Sequence, residues 1–135
     1  MAVTFVITNQ RHIPHTKSPL WDQLAACKVH TDYRKGEYSI ILTQQVQAMD
    51  GKSIIADGFM LPLESTPHFT HFLLSKRSPT CPYCPPGAPN EIIEVFTRSP
   101  MEWSDQLVSM RGTMQLVQDK NAGIFFQMRN AVLEQ

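Results

Sequence analysis

From Tyr38 to the end of the chain, apolar and polar residues mostly alternate one by one, the period of a half-buried β-strand. Ile40, Leu42, Val46 and Ala48 alternate with Ser39, Thr43, Gln45 and Gln47, which predicts a strand over 38–48. Asp50-Gly51 then reads as a tight hairpin turn, because both central positions of such a turn need positive φ. A return strand follows over 53–63. Its alternation slips at Gly58, which predicts a bulge or sharp bend, and Pro62 marks an edge or the end of regular pairing. Phe69–Leu74 is apolar on both faces and predicts a central strand. Further strands are expected over 91–97, broken at Ser99-Pro100, and over 108–116 and 124–132, the last pair joined by a turn at 119–123.

Helical signals are confined to one place. Ser18 suits an N-cap, Pro19 the first helical position and Asp22 the first turn. Leu20, Leu24 and Cys27 share one face, with Trp21 and Ala25 beside them, so a helix is expected from Ser18 to at most Val29. Residues 30–37 are polar and read as a loop. Residues 1–17 read as a tail or short strand; His12 and His15 there have no helix to hold them on one metal.

One helix followed by six strands with short connections implies a mainly β protein. The bent long hairpin suits a small antiparallel Greek-key barrel of the oligonucleotide/oligosaccharide-binding (OB) type over 18–135, with a sandwich as the alternative. At 135 residues the chain is long enough for one domain with its own core. Met110, Met114 and Met128 fall on inward faces, as core fillers rather than copper ligands. Formal net charge is zero and no Lys/Arg run occurs, which argues against nucleic-acid binding even on an OB barrel. No apolar run approaches the roughly 20 residues of a membrane-spanning helix. The first residues lack the basic start and long apolar run of an export signal, which fits a cytoplasmic chain or one written without its leader.

The chemistry concentrates in Thr80–Asn90, which holds Cys81, Cys84 and the prolines Pro82, Pro85, Pro86 and Pro89. A Cys-x-x-Cys pair can hold a soft metal, close a tight disulfide or act as a redox couple. Cys-Pro-Tyr-Cys also occurs at the active site of glutaredoxins, but there a helix follows, and Pro85-Pro86-Gly87-Ala88-Pro89 cannot propagate one. A zinc or copper site needs two ligands beyond Cys81 and Cys84. His71 and His68 are nearest in sequence, and both can serve only if His68 lies in the turn after Pro67; His30 and Glu64 are further candidates. A disulfide would rigidify the proline turn while closing only a small loop. Tyr83, Pro85, Pro86, Pro89 and Asn90 form a candidate docking surface, since rigid prolines lose little entropy on binding. Cys27 is left over and reads as a buried small apolar residue. No Ser/His/Asp order, phosphate loop or dinucleotide fingerprint is present, and Asp57, Glu64, Glu91 and Glu94 show no paired spacing.

Trp21-x-x-Leu24, Asp50-Gly51-Lys52, Asp57-Gly58-Phe59-Met60-Leu61-Pro62-Leu63-Glu64, Phe72-Leu73-Leu74, Cys81-x-x-Cys84-Pro85-Pro86 and Pro89-Asn90-Glu91-Ile92-Ile93 occur in that order. Together they resemble the bacterial domain of unknown function 3299. Glu91 stands where that family usually has glutamine, Gly87-Ala88 interrupts its proline run, and the second cysteine varies within it. The resemblance implies an exported, periplasmic or lipid-anchored protein, in some cases encoded beside transporter components for metal supply. It brings no activity and no catalytic residues. The expectation is therefore a non-enzymatic envelope protein whose Cys/Pro loop binds zinc or copper or docks a partner, with a thiol-redox accessory protein using Cys81 and Cys84 as the alternative.

Overall fold

The computed structural model describes residue 16, residues 18–78 and residues 88–134. The 1–17 tail, apart from residue 16, and the Cys81–Cys84 stretch therefore lie outside the described residues. Helix α1, Pro19–Ala25, starts as its sequence predicts: Ser18 is the N-cap, and its hydroxyl accepts from the Leu20 N–H at 3.3 Å. Leu20, Trp21 and Leu24 are buried. The Trp21 indole N–H donates to the Asp57 carbonyl at 2.6 Å, and the Ser18 N–H donates to Asp57 Oδ1 at 2.9 Å. These two bonds tie the helix across one end of the barrel.

The helix stops at Ala25 rather than near Val29. Strand β1, Lys28–Asp32, pairs antiparallel with β2, Glu37–Ile41, in a separate two-stranded ribbon. The polar 30–37 stretch is thus a strand end and turn, not only a loop. β-Branched Val29 and Thr31 favour extension, and Asp32 Oδ1 accepts from the N–H groups of Arg34 and Lys35 to shape the turn. Gly36 closes it at φ 64°.

The strand expected over 38–48 ends at Ile41. Thr43 caps a single helical turn, α2 (Gln44–Gln47), by accepting from the Val46 N–H at 3.2 Å, and Val46 alone of that turn is buried. Asp50-Gly51 is therefore not a hairpin turn between two paired strands. Gly51, at φ 80°, carries the chain from α2 into the barrel, where its N–H donates to the Met114 carbonyl.

Five strands form the closed barrel: β3 (Ser53–Pro62), β4 (His68–Ser75), β5 (Ile92–Glu102), β6 (Val108–Asp119) and β7 (Ile124–Leu133). Their order is β3-β4-β5-β7-β6, with β6 returning to β3. This is the mainly β, Greek-key, OB-like barrel that the alternation predicts, and not a sandwich. One pairing departs from all-antiparallel order: β5 and β7 run parallel. Gly58 is the corner. Residues 53–58 of β3 pair with β6, and residues 59–62 pair with β4. A Cβ at Gly58 would lie 2.8 Å from both Leu74 Cγ and the Ser75 carbonyl oxygen, so only glycine allows this approach.

Phe72, Leu74, Ile93, Val95, Met110, Met114, Phe126 and Met128 fill the barrel and are fully buried. Cys27 is a buried free thiol under the helix. Two bulges shape the barrel's other end. β5 does not stop at Ser99-Pro100. His71 faces Phe96 while Phe69 faces Met101, so residues 97–100 bulge opposite Thr70, and Pro100 sits where no ladder bond is needed. In β7, Asn130 adopts φ 52°, and the inward phase passes from Phe126 and Met128 to Ala131 instead of Val132. Among the described residues, no helix is long and apolar enough to cross a membrane.

Candidate functional site

The Cys/Pro loop joins β4 to β5, two neighbouring strands, so the described structure fixes where its two stems stand. Ser75 and Ile92 are register partners, and one step further the Lys76 N–H donates to the Glu91 carbonyl at 3.0 Å. On the outgoing stem, the buried Ser75 hydroxyl donates to the Arg77 carbonyl and accepts from the Arg77 N–H. On the returning stem, Pro89–Glu91 form a 3-10 turn, with proline at its start and the Glu91 N–H donating to the Ala88 carbonyl at 2.8 Å.

Glu91 joins the stems. Its Oε1 accepts from Arg77 Nε at 3.0 Å and from the Ala88 N–H at 3.1 Å. Burial alone would push this carboxyl up. The Arg77 hydrogen bond, the Ala88 N–H, and the charges of Arg77 and Lys76 outweigh burial and hold it below the ordinary glutamate range. The Arg77 guanidinium is raised in turn by its hydrogen bond and charge contact with Glu91. Asn90, a candidate partner-binding residue by sequence, donates its side-chain amide to the Cys27 carbonyl at 3.1 Å and so fastens the returning stem beneath α1. Pro89 is the first residue of the 3-10 turn.

The histidines lie elsewhere on β4. His68 opens the strand instead of sitting in the turn after Pro67, and its Nε2 lies 3.2 Å from Glu102 Oε1. His71 Nε2 donates to Glu94 Oε2 at 2.7 Å. At about 3.3 Å per residue, His71 and His68 stand roughly 13 and 23 Å before Ser75, where the loop stem begins. His30 lies on β1 opposite Ser39, and Glu64 is exposed in the turn after β3. Among the described residues, no three His, Cys, Asp or Glu side chains are grouped to hold a metal ion. Cys81, Tyr83, Cys84, Pro85 and Pro86 fall outside the described residues.

The sequence gives no sign that Glu94 anchors a lattice on the outer barrel face. Glu94 Oε1 accepts from Gln127 Nε2 at 2.7 Å. Gln127 Oε1 accepts from Arg129, whose Nε donates to Gln115. The Phe96 ring stacks on His71 at 4.5 Å and carries the Arg129 guanidinium 3.9 Å from its centroid. Hydrogen bonds and ring contacts run through it from His71 to Gln115, so the lattice braces β4, β5, β7 and β6. Only the three-dimensional pairing of four strands assembles it.

A model of the family described as "Protein of unknown function (DUF3299)" matches residues 8–133. A crystal structure of a DUF3299 family protein from Pseudomonas aeruginosa PAO1 is similar at TM-score 0.54 and 21% identity, over 72% of this chain and 68% of that chain. At this identity the likeness concerns the fold. No curated protein matches the chain.

Proposed function

This chain belongs to the DUF3299 family, and we propose that it is a non-enzymatic binding module of the bacterial envelope, exported to the periplasm or held there by a lipid. Its β4–β5 loop offers Cys81 and Cys84 to one soft metal ion, zinc or copper. Tyr83, Pro85 and Pro86 present the loop to an envelope partner such as a transporter component for metal supply. The observation that carries this reading is the clamp at the loop's base. Arg77, Ala88 and Glu91 fix both stems, and Asn90 fastens one of them to the body. A loop fixed at both ends and rich in proline has little freedom left to lose on binding. Two thiolates are a donor set for soft metals, and they leave coordination positions for ligands from outside the described residues.

The test is the native mass of the full chain purified without reductant or chelator, with a free-thiol count after denaturation. The expected result is a mass heavier by one zinc or copper ion that Cys84→Ser abolishes. A metal-free mass two hydrogens light, with one reactive thiol and no metal uptake after reduction, contradicts the metal reading.

A further inference from the structure

At the end of β5 away from the Cys/Pro loop, the two bulges open two adjoining cavities. The larger, about 590 Å³, is mainly apolar, with Met60, Met101, Val108, Ala131 and Leu133 in its lining. The smaller, about 230 Å³, is polar and basic, lined by Arg98, Arg111, Ser53, Thr113 and Asn130. Val132 lines both. The bulge in β5 divides its residues between them: Thr97, Ser99 and Pro100 face the apolar groove, and Arg98 faces the basic pocket. In β7, Ala131 and Leu133 line the groove, and Asn130 lines the pocket.

The basic pocket has donors and no acid of its own. No carboxylate lines it. Arg111 Nε meets Glu134 at 3.2 Å, but Arg98 has no ion pair among the described residues. The side chains of Ser53, Thr113 and Asn130 likewise have no hydrogen-bond partner among them. Both arginines are exposed, and Glu134 balances only Arg111, so Arg98 brings to the cavity a positive charge with no counter-charge among the described residues. Arginine forks match phosphate and carboxylate geometry alike, and the hydroxyls arriving from β3 and β6 give the pocket further donors for the extra oxygens of a phosphate. Asn130 holds its place in the left-handed region, a strained conformation that often marks a binding site. The groove falls within the size range of small-molecule sites.

We infer that the paired cavities bind a single-chain anionic amphiphile, with its phosphate head in the Arg98/Arg111 pocket and its alkyl chain in the Met60–Leu133 groove. The basic pocket favours an anionic head and the neighbouring groove, which shares Val132 with it, an apolar chain, which argues for this occupant over a neutral apolar ligand or a free anion.

Calorimetric titration of the full chain with dodecyl phosphate, below its micelle-forming concentration, tests the inference. Inorganic phosphate and dodecyl glucoside serve as comparators. The expected result is one-to-one binding of dodecyl phosphate, at least about tenfold tighter than either comparator. Arg98→Gln, at an exposed residue, is expected to weaken it about tenfold. Leu133→Asp, also exposed, is expected to weaken dodecyl phosphate while leaving inorganic phosphate unchanged. Equal affinity for inorganic phosphate, equal affinity for the glucoside, or full affinity in both variants would each overturn the inference. So would binding to vesicles containing phosphatidic acid with none to monomeric dodecyl phosphate.

Discussion

The two ends of β5 are built in opposite ways. At its start, hydrogen bonds lock the two stems of the loop base together. Glu91 takes two donors, Ser75 both donates and accepts, and Asn90 reaches the Cys27 carbonyl. At its far end the ladder bulges and two cavities open, one of them lined by the side chains of Arg98, Ser53, Thr113 and Asn130, which have no hydrogen-bond or ion-pair partner among the described residues. A closed barrel has no free edge, so its binding surfaces come from loops and from irregularities in the ladder. This barrel carries a clamped loop at one end and bulges at the other.

The largest expected effect comes from unfastening the closed end. Trp21→Ala removes a fully buried indole and its bond to the Asp57 carbonyl, and should cost about 3–5 kcal/mol in urea unfolding. A loss below about 1 kcal/mol would mean that α1 does not hold this end shut. Gly112→Ala tests the bulged end. Its Cβ would lie 2.5 Å from Met128 Cγ and 2.8 Å from the Arg129 carbonyl oxygen, so overpacking should cost about 1–3 kcal/mol. Unchanged stability would show that the β6–β7 bulge yields easily.

Glu91 sharpens the comparison through pH. Its folded carboxyl is held below the ordinary value, so its contribution is present above the unfolded pKa and is lost as pH falls through the folded one. Glu91→Ala should cost about 1–3 kcal/mol at neutral pH and progressively less on acidification below the ordinary glutamate range. A loss independent of pH between neutrality and strong acid would contradict the clamp. The smallest effect is expected at Asn130→Gly. Relief of the left-handed backbone outweighs glycine's extra unfolded-state freedom by about 0.5 kcal/mol, read as a slightly higher Tm.

Much of the barrel is legible in the sequence because its strands bury one face. Val108–Leu116 alternates cleanly, and Met110 and Met114 are core residues as expected. The Ser18-Pro19 start of α1 is equally plain, since cap and proline act locally. The β1–β2 ribbon is not legible: it carries no fully buried residue, so its sequence reads as polar loop. The turn α2 hides within apparent alternation because one capping threonine and one buried valine are enough to make it. The bulges at 97–100 and Asn130 depend on strands distant in sequence, as does the parallel pairing of β5 with β7. The candidate site divides the same way. Cys81 and Cys84 stand out by spacing, and Pro89 and Asn90 by composition. The Arg77–Glu91 clamp, 14 positions apart, appears only once β4 and β5 are paired.

The most direct test of the clamped loop compares zinc affinity, by competition with a chromophoric chelator, in the wild type, Glu91→Gln and Glu91→Ala. The glutamine keeps an oxygen acceptor for Arg77 and Ala88; alanine removes it. If the clamp pre-organises Cys81 and Cys84, Glu91→Gln stays close to wild type and Glu91→Ala binds about tenfold more weakly while still folded. Equal zinc affinity in all three proteins would contradict the account, because the loop would then hold its metal without the base that the structure builds for it.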